Sequence, residues 1–122
     1  MGGYAGRILL VNLSTAEILV ERPAEEFYRK YLGGPGIGLY YLLKNNRHYF
    51  DPFLPESIMV FAPGLLTGTS APCVPRYTVV ARSPLTGALG KSEAGGWWGP
   101  ELKKAGFDAV VISGRAPRPV YL

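Results

Sequence analysis

Glycine and proline interrupt the chain so often that only short helices and strands fit between them. The sequence has 16 Gly and 11 Pro in 122 residues, and it lacks the three-residue glycine period of collagen. Proline ends helices and strands, whereas glycine permits turns and close backbone contacts. Apolar residues make up 48% of the chain and charged residues 18%, which excludes an intrinsically disordered segment. The sequence therefore predicts one folded domain, or part of a larger one, with many turns.

The apolar runs between these turns predict a mixture of strands and helices. Short runs rich in branched residues predict strands over 6–13, 18–20, 57–62, 76–82, 88–92 and 108–113, the first two joined as a hairpin. Apolar spacing with flanking Pro and Gly predicts helices from Pro23 to Leu32, from Pro35 to Asn46 and within 95–106. Val120–Leu122 resembles the start of another strand, and this apolar ending predicts that the chain stops inside a domain.

Charge and hydropathy narrow the possible partners. Lys and Arg number 13 against 9 Asp and Glu, a net charge of +4 that suits a phosphate-bearing ligand. No run of Lys and Arg is long enough for a nucleic-acid-binding arm. No apolar segment approaches the roughly 18–20 residues of a membrane span, and no signal peptide is recognised. We therefore expect neither nucleic acid nor a membrane as a partner, and a cytoplasmic location.

The chain has one cysteine and one histidine. One cysteine excludes an intramolecular disulfide framework and a thiolate metal site built by this chain alone. Cys73 lies between Pro72 and Pro75, and we expect a small, partly buried side chain rather than a nucleophile. His48 lies in a polar segment and is expected on the surface. A Ser-His-Asp arrangement cannot be argued from one such histidine.

Three glycine-containing segments are candidate phosphate sites. Gly33–Gly38 lacks the G-x-G-x-x-G spacing and follows a predicted helix, which favours a close helix–helix junction. The Pro-, Gly- and Thr-rich loop 63–72 precedes Arg76; together they could hold a phosphate, or Arg76 is an ordinary surface arginine. Glu93, shortly before Gly95, could bind Mg²⁺ or could simply favour the start of the next helix. The residues alone leave these alternatives open.

Several stretches taken together resemble the amino-terminal domain of the aldehyde ferredoxin oxidoreductases. They are GRILLVNLST, YLGGPGIGLYYLL, FAPGLLTGTSAP, RYTVVARSPLTG and GGWWGPELKKAGFDAVVISGRAPRPVYL. The resemblance covers essentially all of residues 1–122. It implies an α+β fold, a β-rich mixed sheet with about three helices that forms one half of a duplicated domain. It also implies that this domain is the base for a bis-pterin tungsten (or molybdenum) cofactor.

The resemblance implies roles for particular residues. In that family the metal is held by dithiolene sulfurs of the pterins, and Mg²⁺ bridges the pterin phosphates. Arg76 matches the phosphate-contacting arginine and Gly95 the pterin-contacting glycine. Glu93 stands where the family has an asparagine associated with Mg²⁺; a carboxylate here would repel phosphates unless the cation is bound. The ligands of the family's [4Fe–4S] cluster lie outside this chain, and Cys73 is not one of them.

The activity implied by the resemblance is oxidation of an aldehyde to a carboxylic acid, with ferredoxin as the electron acceptor. Residues 1–122 would be the pterin-cofactor base domain of such an enzyme, without its later domains, and inactive by themselves. The alternative is a non-catalytic module, from a truncated or split gene, that binds a phosphate ligand or a partner. A homo-oligomer is expected if half of a duplicated domain exposes Trp97, Trp98 and the Tyr40–Tyr41 pair.

Overall fold

The computed structural model describes residues 3–45 and 51–122. Its strands are β1 (Ile8–Asn12), β2 (Glu17–Glu21), β3 (Met59–Pro63), β4 (Tyr77–Arg82), β5 (Leu89–Ala94) and β6 (Ala109–Ser113). Its helices are α1 (Glu25–Tyr31), α2 (Pro35–Asn45) and α3 (Trp98–Lys104). These elements confirm the predicted α+β fold with a mixed sheet and three helices. The end of the second predicted helix, Asn46, lies outside the described residues.

One sheet contains all of these strands, in the order β2-β1-β6-β3-β4-β5. β1 and β6 run parallel, with Ile8 opposite Ala109, and the other neighbours in the sheet are antiparallel. The predicted hairpin is therefore β1 and β2. The prediction that Val120–Leu122 begins another strand is wrong, because these residues are exposed and lie outside every strand of the described chain. An apolar run becomes a strand only where a sheet edge pairs with it.

Helices cover both faces of the sheet. Gly38 of α2 lies against Val80 of β4, and a Cβ atom at Gly38 would stand 2.5 Å from a Val80 methyl carbon. α3 lies on the opposite face, where Trp98 packs against Phe61 and Tyr77. The larger core is on the α2 side. Its buried members are Ile8, Tyr28, Ile37, Tyr41, Leu42, Ile58, Val60, Ala62, Val80, Ala109 and Val111.

The junction between α1 and α2 is built from glycines. A Cβ atom at Gly33 would lie 2.7 Å from the amide nitrogen of Leu65, and one at Gly36 would collide with the carbonyl of Tyr31. Gly34 has a φ of +50° and donates its N–H to the carbonyl of Pro63 at 2.8 Å. The prediction that this segment is a close helix–helix junction is confirmed, and the junction also packs against the end of β3.

A buried carboxylate joins the start of the chain to the α3–β6 connection. Asp108 accepts hydrogen bonds from the backbone N–H groups of Ala5 at 2.8 Å and Gly6 at 2.7 Å. Lys103 donates to the same carboxylate at 2.6 Å and also to the carbonyl of Gly3. The side chains of Asp108 and Lys103 are only 3% and 10% exposed. A buried charge is tolerated only with such partners, so we expect the stability of the fold to depend strongly on both members of the pair.

Replacing Asp108 with Asn should therefore lower the free energy of unfolding by about 3 kcal/mol, because it leaves the Lys103 ammonium buried without its counter-charge. Urea unfolding of this chain measures the change. Glu101→Gln is the matched control, because it removes an exposed ion pair with Lys104 and should change stability by less than about 1 kcal/mol. Equal losses in the two variants would contradict the role given to Asp108.

The buried hydroxyls of Tyr28 and Tyr41 indicate how the stability of the fold changes at alkaline pH. Burial raises the pKa of both hydroxyls above the ordinary value of about 10, assisted at Tyr41 by the hydrogen bond to Glu21 and at Tyr28 by the negative charge of Asp108. The folded state favours the neutral phenols. The stability that they contribute to the fold is therefore fully present below pH ~10 and is lost as pH rises through the folded-state pKa. Phenolate absorbance should show late ionisation steps, one of which disappears in Tyr41→Phe. Tyr121→Phe, at an exposed position, should leave those late steps unchanged.

Candidate phosphate-binding site

The residues that the sequence singles out come together at one end of the β4–β5 pair. Arg76 directly precedes β4, and Glu93 and Gly95 lie at the end of β5. The two strands are antiparallel, with Thr78 opposite Glu93 and Tyr77 opposite Ala94. The guanidinium of Arg76 consequently lies 3.9 Å from a carboxylate oxygen of Glu93. Arg76 and Glu93 are thus neighbours on one surface, although they are 17 positions apart in sequence.

Glu93 lies between two cations. Its Oε1 accepts a hydrogen bond from Lys91 Nζ at 2.8 Å, and its Oε2 faces Arg76 Nη1. The hydrogen bond and charge of Lys91, followed by the charge of Arg76, lower the pKa of Glu93 below its ordinary value. Glu93 therefore stays anionic at neutral pH. Lys91 was not identified from the sequence, although its spacing of two from Glu93 on a predicted strand places both side chains on one face.

The loop between β3 and β4 holds the backbone of Arg76. Thr67 is buried, and its hydroxyl donates to the carbonyl of Arg76 at 2.9 Å. The N–H of Gly64 donates to the same carbonyl at 3.1 Å. The backbone at Arg76 is thus held twice, while its side chain is 72% exposed. Sequence reasoning missed Thr67, because its partner depends on how the loop folds back on the strand.

Several amides of the same loop are already hydrogen-bonded within the protein. The N–H groups of Gly64, Thr67, Thr69 and Ala71 donate to acceptors within the loop or at Arg76. These four N–H groups are therefore not available to an anion, and the hypothesis that the loop and Arg76 together hold a phosphate stays a prediction. The loop also holds the backbone of Arg76, whose exposed guanidinium is the other part of that candidate site.

Beyond β5, the backbone at Gly95 borders open space. A Cβ atom at Gly95 would meet no other atom within 4 Å, so the fold itself does not require glycine there. Trp97 follows at the start of α3 and is 80% exposed, whereas Trp98 is partly covered by Phe61 and Tyr77. The expectation of exposed aromatic residues is thus met at Trp97 and at Trp98, which is still 41% exposed, but is wrong for Tyr41, which lies in the core.

The remaining candidates contribute little to this site. Cys73 is exposed, so the expectation of a partly buried side chain is wrong; it lies in the irregular loop before Arg76 with a φ of +62°. His48 lies outside the described residues. Among residues 3–45 and 51–122, no three His, Cys, Asp or Glu side chains are grouped as metal ligands. Over the same ranges, no helix has the length and apolar character needed to cross a membrane.

The sequence matches a known family over most of its length. Residues 8–122 match the model of the aldehyde ferredoxin oxidoreductase N-terminal domain. The tungsten-containing aldehyde ferredoxin oxidoreductases of Pyrococcus abyssi and Pyrococcus horikoshii are 52% and 51% identical over 122 residues. In both cases the match covers 100% of this chain and 20% of the relative. The chain therefore spans about a fifth of the length of these curated relatives.

A more distant relative and a solved structure also match the whole chain. The aliphatic sulfonate oxidoreductase WOR-like subunit of Pyrococcus furiosus is 32% identical, over 20% of its own length. The solved structure is the active-site complex BamBC of benzoyl coenzyme A reductase with 1,5-dienoyl-CoA. It superposes with a TM-score of 0.95 at 36% identity, covering 100% of this chain and 19% of that one.

Because Thr67 holds the backbone of Arg76, we expect the replacement of Thr67 to destabilise the fold more than the replacement of Thr69 in the same loop. Thr67→Val removes a buried donor from the Arg76 carbonyl and should lower the free energy of unfolding by about 1–2 kcal/mol. Thr69→Val is the control: its hydroxyl donates to Leu66 at 2.7 Å but is exposed, so a smaller loss is expected. Urea unfolding of the two variants compares them, and an equal loss would argue against a special role for Thr67.

Proposed function

The chain belongs to the aldehyde ferredoxin oxidoreductase family, and we propose that it is the cofactor-binding N-terminal part of a tungsten-pterin enzyme that oxidises aldehydes to carboxylic acids. The observation that carries the proposal is the meeting of Arg76, Glu93 and Gly95 at one end of the β4–β5 pair. Identity of 52% with a tungsten-containing aldehyde enzyme, against 36% with the benzoyl coenzyme A reductase complex, favours an aldehyde as substrate.

Arg76 and Gly95 fit a flat cofactor that carries phosphate groups. The Arg76 guanidinium makes no hydrogen bond within the described part of the chain and is mostly exposed, so its donors are available to a phosphate. At Gly95 a side chain would fill the space beside the backbone that the ligand needs. The role of Arg76 is to bind a phosphate, and that of Gly95 is to let the ring system approach the main chain.

Glu93 fits a magnesium ion between phosphates. Mg²⁺ is usually held by one or two carboxylates together with substrate phosphates and water. Glu93 offers such a carboxylate, kept anionic by Lys91 and Arg76. Since no group of three metal-ligating side chains occurs in the described chain, the other magnesium ligands would be oxygens of the phosphates and of water.

The cofactor, when bound, supplies the oxygen-transfer and redox chemistry of tungsten (or molybdenum) held by two pterins. The residues of this chain bind and orient it through its phosphates and its rings. The iron–sulfur cluster, the aldehyde pocket and the contact with ferredoxin belong in this proposal to parts of the enzyme outside residues 1–122. The proposal includes a cytoplasmic location for the enzyme. Residues 1–122 by themselves would not turn over aldehyde.

Elemental analysis of the natively purified full-length protein tests the function. We expect tungsten together with several iron atoms per polypeptide. Arg76→Gln and Gly95→Ala should each lower the tungsten content, because one removes a charge-assisted bond worth about 1.5–3 kcal/mol and the other obstructs the approach of the ring. Both variants should keep the thermal stability of the cofactor-free protein, since neither side-chain change alters a buried contact.

Arg29→Gln provides a matched control, because Arg29 is a similarly exposed arginine on α1, paired with Glu25 rather than placed at the site. Its tungsten content should equal that of the unmodified protein. Unchanged tungsten in both site variants would contradict the roles of Arg76 and Gly95. A full-length protein without tungsten, molybdenum or iron would favour a phosphate-binding module instead.

A further inference from the structure

Lys91 lies at the same site as Arg76 but approaches from the other side of Glu93. It belongs to β5, two residues before Glu93, so the two side chains are on one face of the strand. Lys91 Nζ lies 2.8 Å from Glu93 Oε1, while Arg76 lies on the side of Oε2. The Lys91 side chain is 46% exposed. A single carboxylate is therefore shared by two cations that both reach solvent.

The charges of this group do not cancel. Arg76 and Lys91 carry two positive charges and Glu93 one negative charge, which leaves a net charge of +1. A lysine ammonium has three donors and a guanidinium five. Lys91 uses one of its donors on Glu93, and Arg76 is too distant at 3.9 Å to make a hydrogen bond with it. Donors on both cations are therefore available to an added anion.

We propose that Lys91 is a second anion-binding residue, and that Lys91 and Arg76 together bind a ligand with two phosphate groups. The inference rests on the proposed function, because it extends the site built around Arg76. Glu93 acts as the internal counter-ion that keeps both cations close together before the ligand binds. The phosphate groups then compete with Glu93 for these cations.

Mg²⁺ changes this competition. A divalent cation bound by Glu93 takes the carboxylate away from Lys91 and Arg76 and also attracts the phosphate groups. The affinity for the anion should therefore rise when Mg²⁺ is added. Without Mg²⁺, loss of the Glu93 charge should raise the affinity, because the two cations no longer have an internal competitor.

Inorganic pyrophosphate is the probe, titrated calorimetrically into the full-length protein freed of cofactor, at low salt, with and without Mg²⁺. We expect Lys91→Gln to weaken binding by about tenfold, as does Arg76→Gln, since each removes a charge-assisted contact. Glu93→Gln should bind more tightly than the unmodified protein without Mg²⁺ and should gain little when Mg²⁺ is added. Lys104→Gln is the control: Lys104 is exposed and paired with Glu101 on α3, and its loss should leave the affinity unchanged.

The outcomes separate this inference from the proposed function. Weaker binding in Arg76→Gln but not in Lys91→Gln would overturn the role of Lys91 and leave the phosphate role of Arg76 intact. Equal weakening in Lys91→Gln and Lys104→Gln would also overturn it, because the effect would then reflect net charge alone. Absence of pyrophosphate binding to the unmodified protein would overturn the two-cation site, whereas the tungsten content of the natively purified unmodified protein independently decides the proposed function.

Discussion

The buried carboxylate of Asp108 is the constraint on which the arrangement of the sheet depends. It accepts hydrogen bonds from the backbone N–H groups of the residues that lead into β1, and it lies directly before β6. The two strands are thereby held side by side and in parallel, with Ile8 opposite Ala109. β6 also pairs with β3, whose end leads into the loop that holds Arg76. The position of the candidate phosphate-binding site is thus set through the sheet by a contact that is not part of that site.

The site combines a fixed backbone with exposed side chains. Two donors, from Thr67 and Gly64, hold the carbonyl of Arg76, and the strand pairing holds the backbone of Glu93. The charged ends of Arg76 and Lys91 extend into solvent. Such a division favours ligand binding, since the main chain needs no rearrangement and only the ends of side chains must be ordered.

The sequence is sufficient to predict the features that depend on residues close together along the chain. Proline and glycine delimit the short elements, and apolar spacing distinguishes helices such as α2 from strands such as β4. Family resemblance pointed to Arg76, Glu93 and Gly95, whose roles remain predictions. Thr67 could not be found in this way, because its function depends on pairing between segments that are separated in the chain. The exposure of Cys73 was misjudged for the same reason: a loop residue is buried or exposed according to where the loop finally lies.

The parallel pairing of β1 with β6 has a consequence for synthesis of the protein on the ribosome. β1 and β6 are separated by nearly the whole described chain, and all four other strands lie between them in sequence. At a translation rate of about 5–20 residues per second, β1 leaves the ribosome several seconds before its partner. Throughout that interval one apolar edge of the β1–β2 hairpin has no native neighbour and is open to incorrect pairing. The centre of the sheet is therefore completed last, and newly made chains are most vulnerable to aggregation just before β6 emerges.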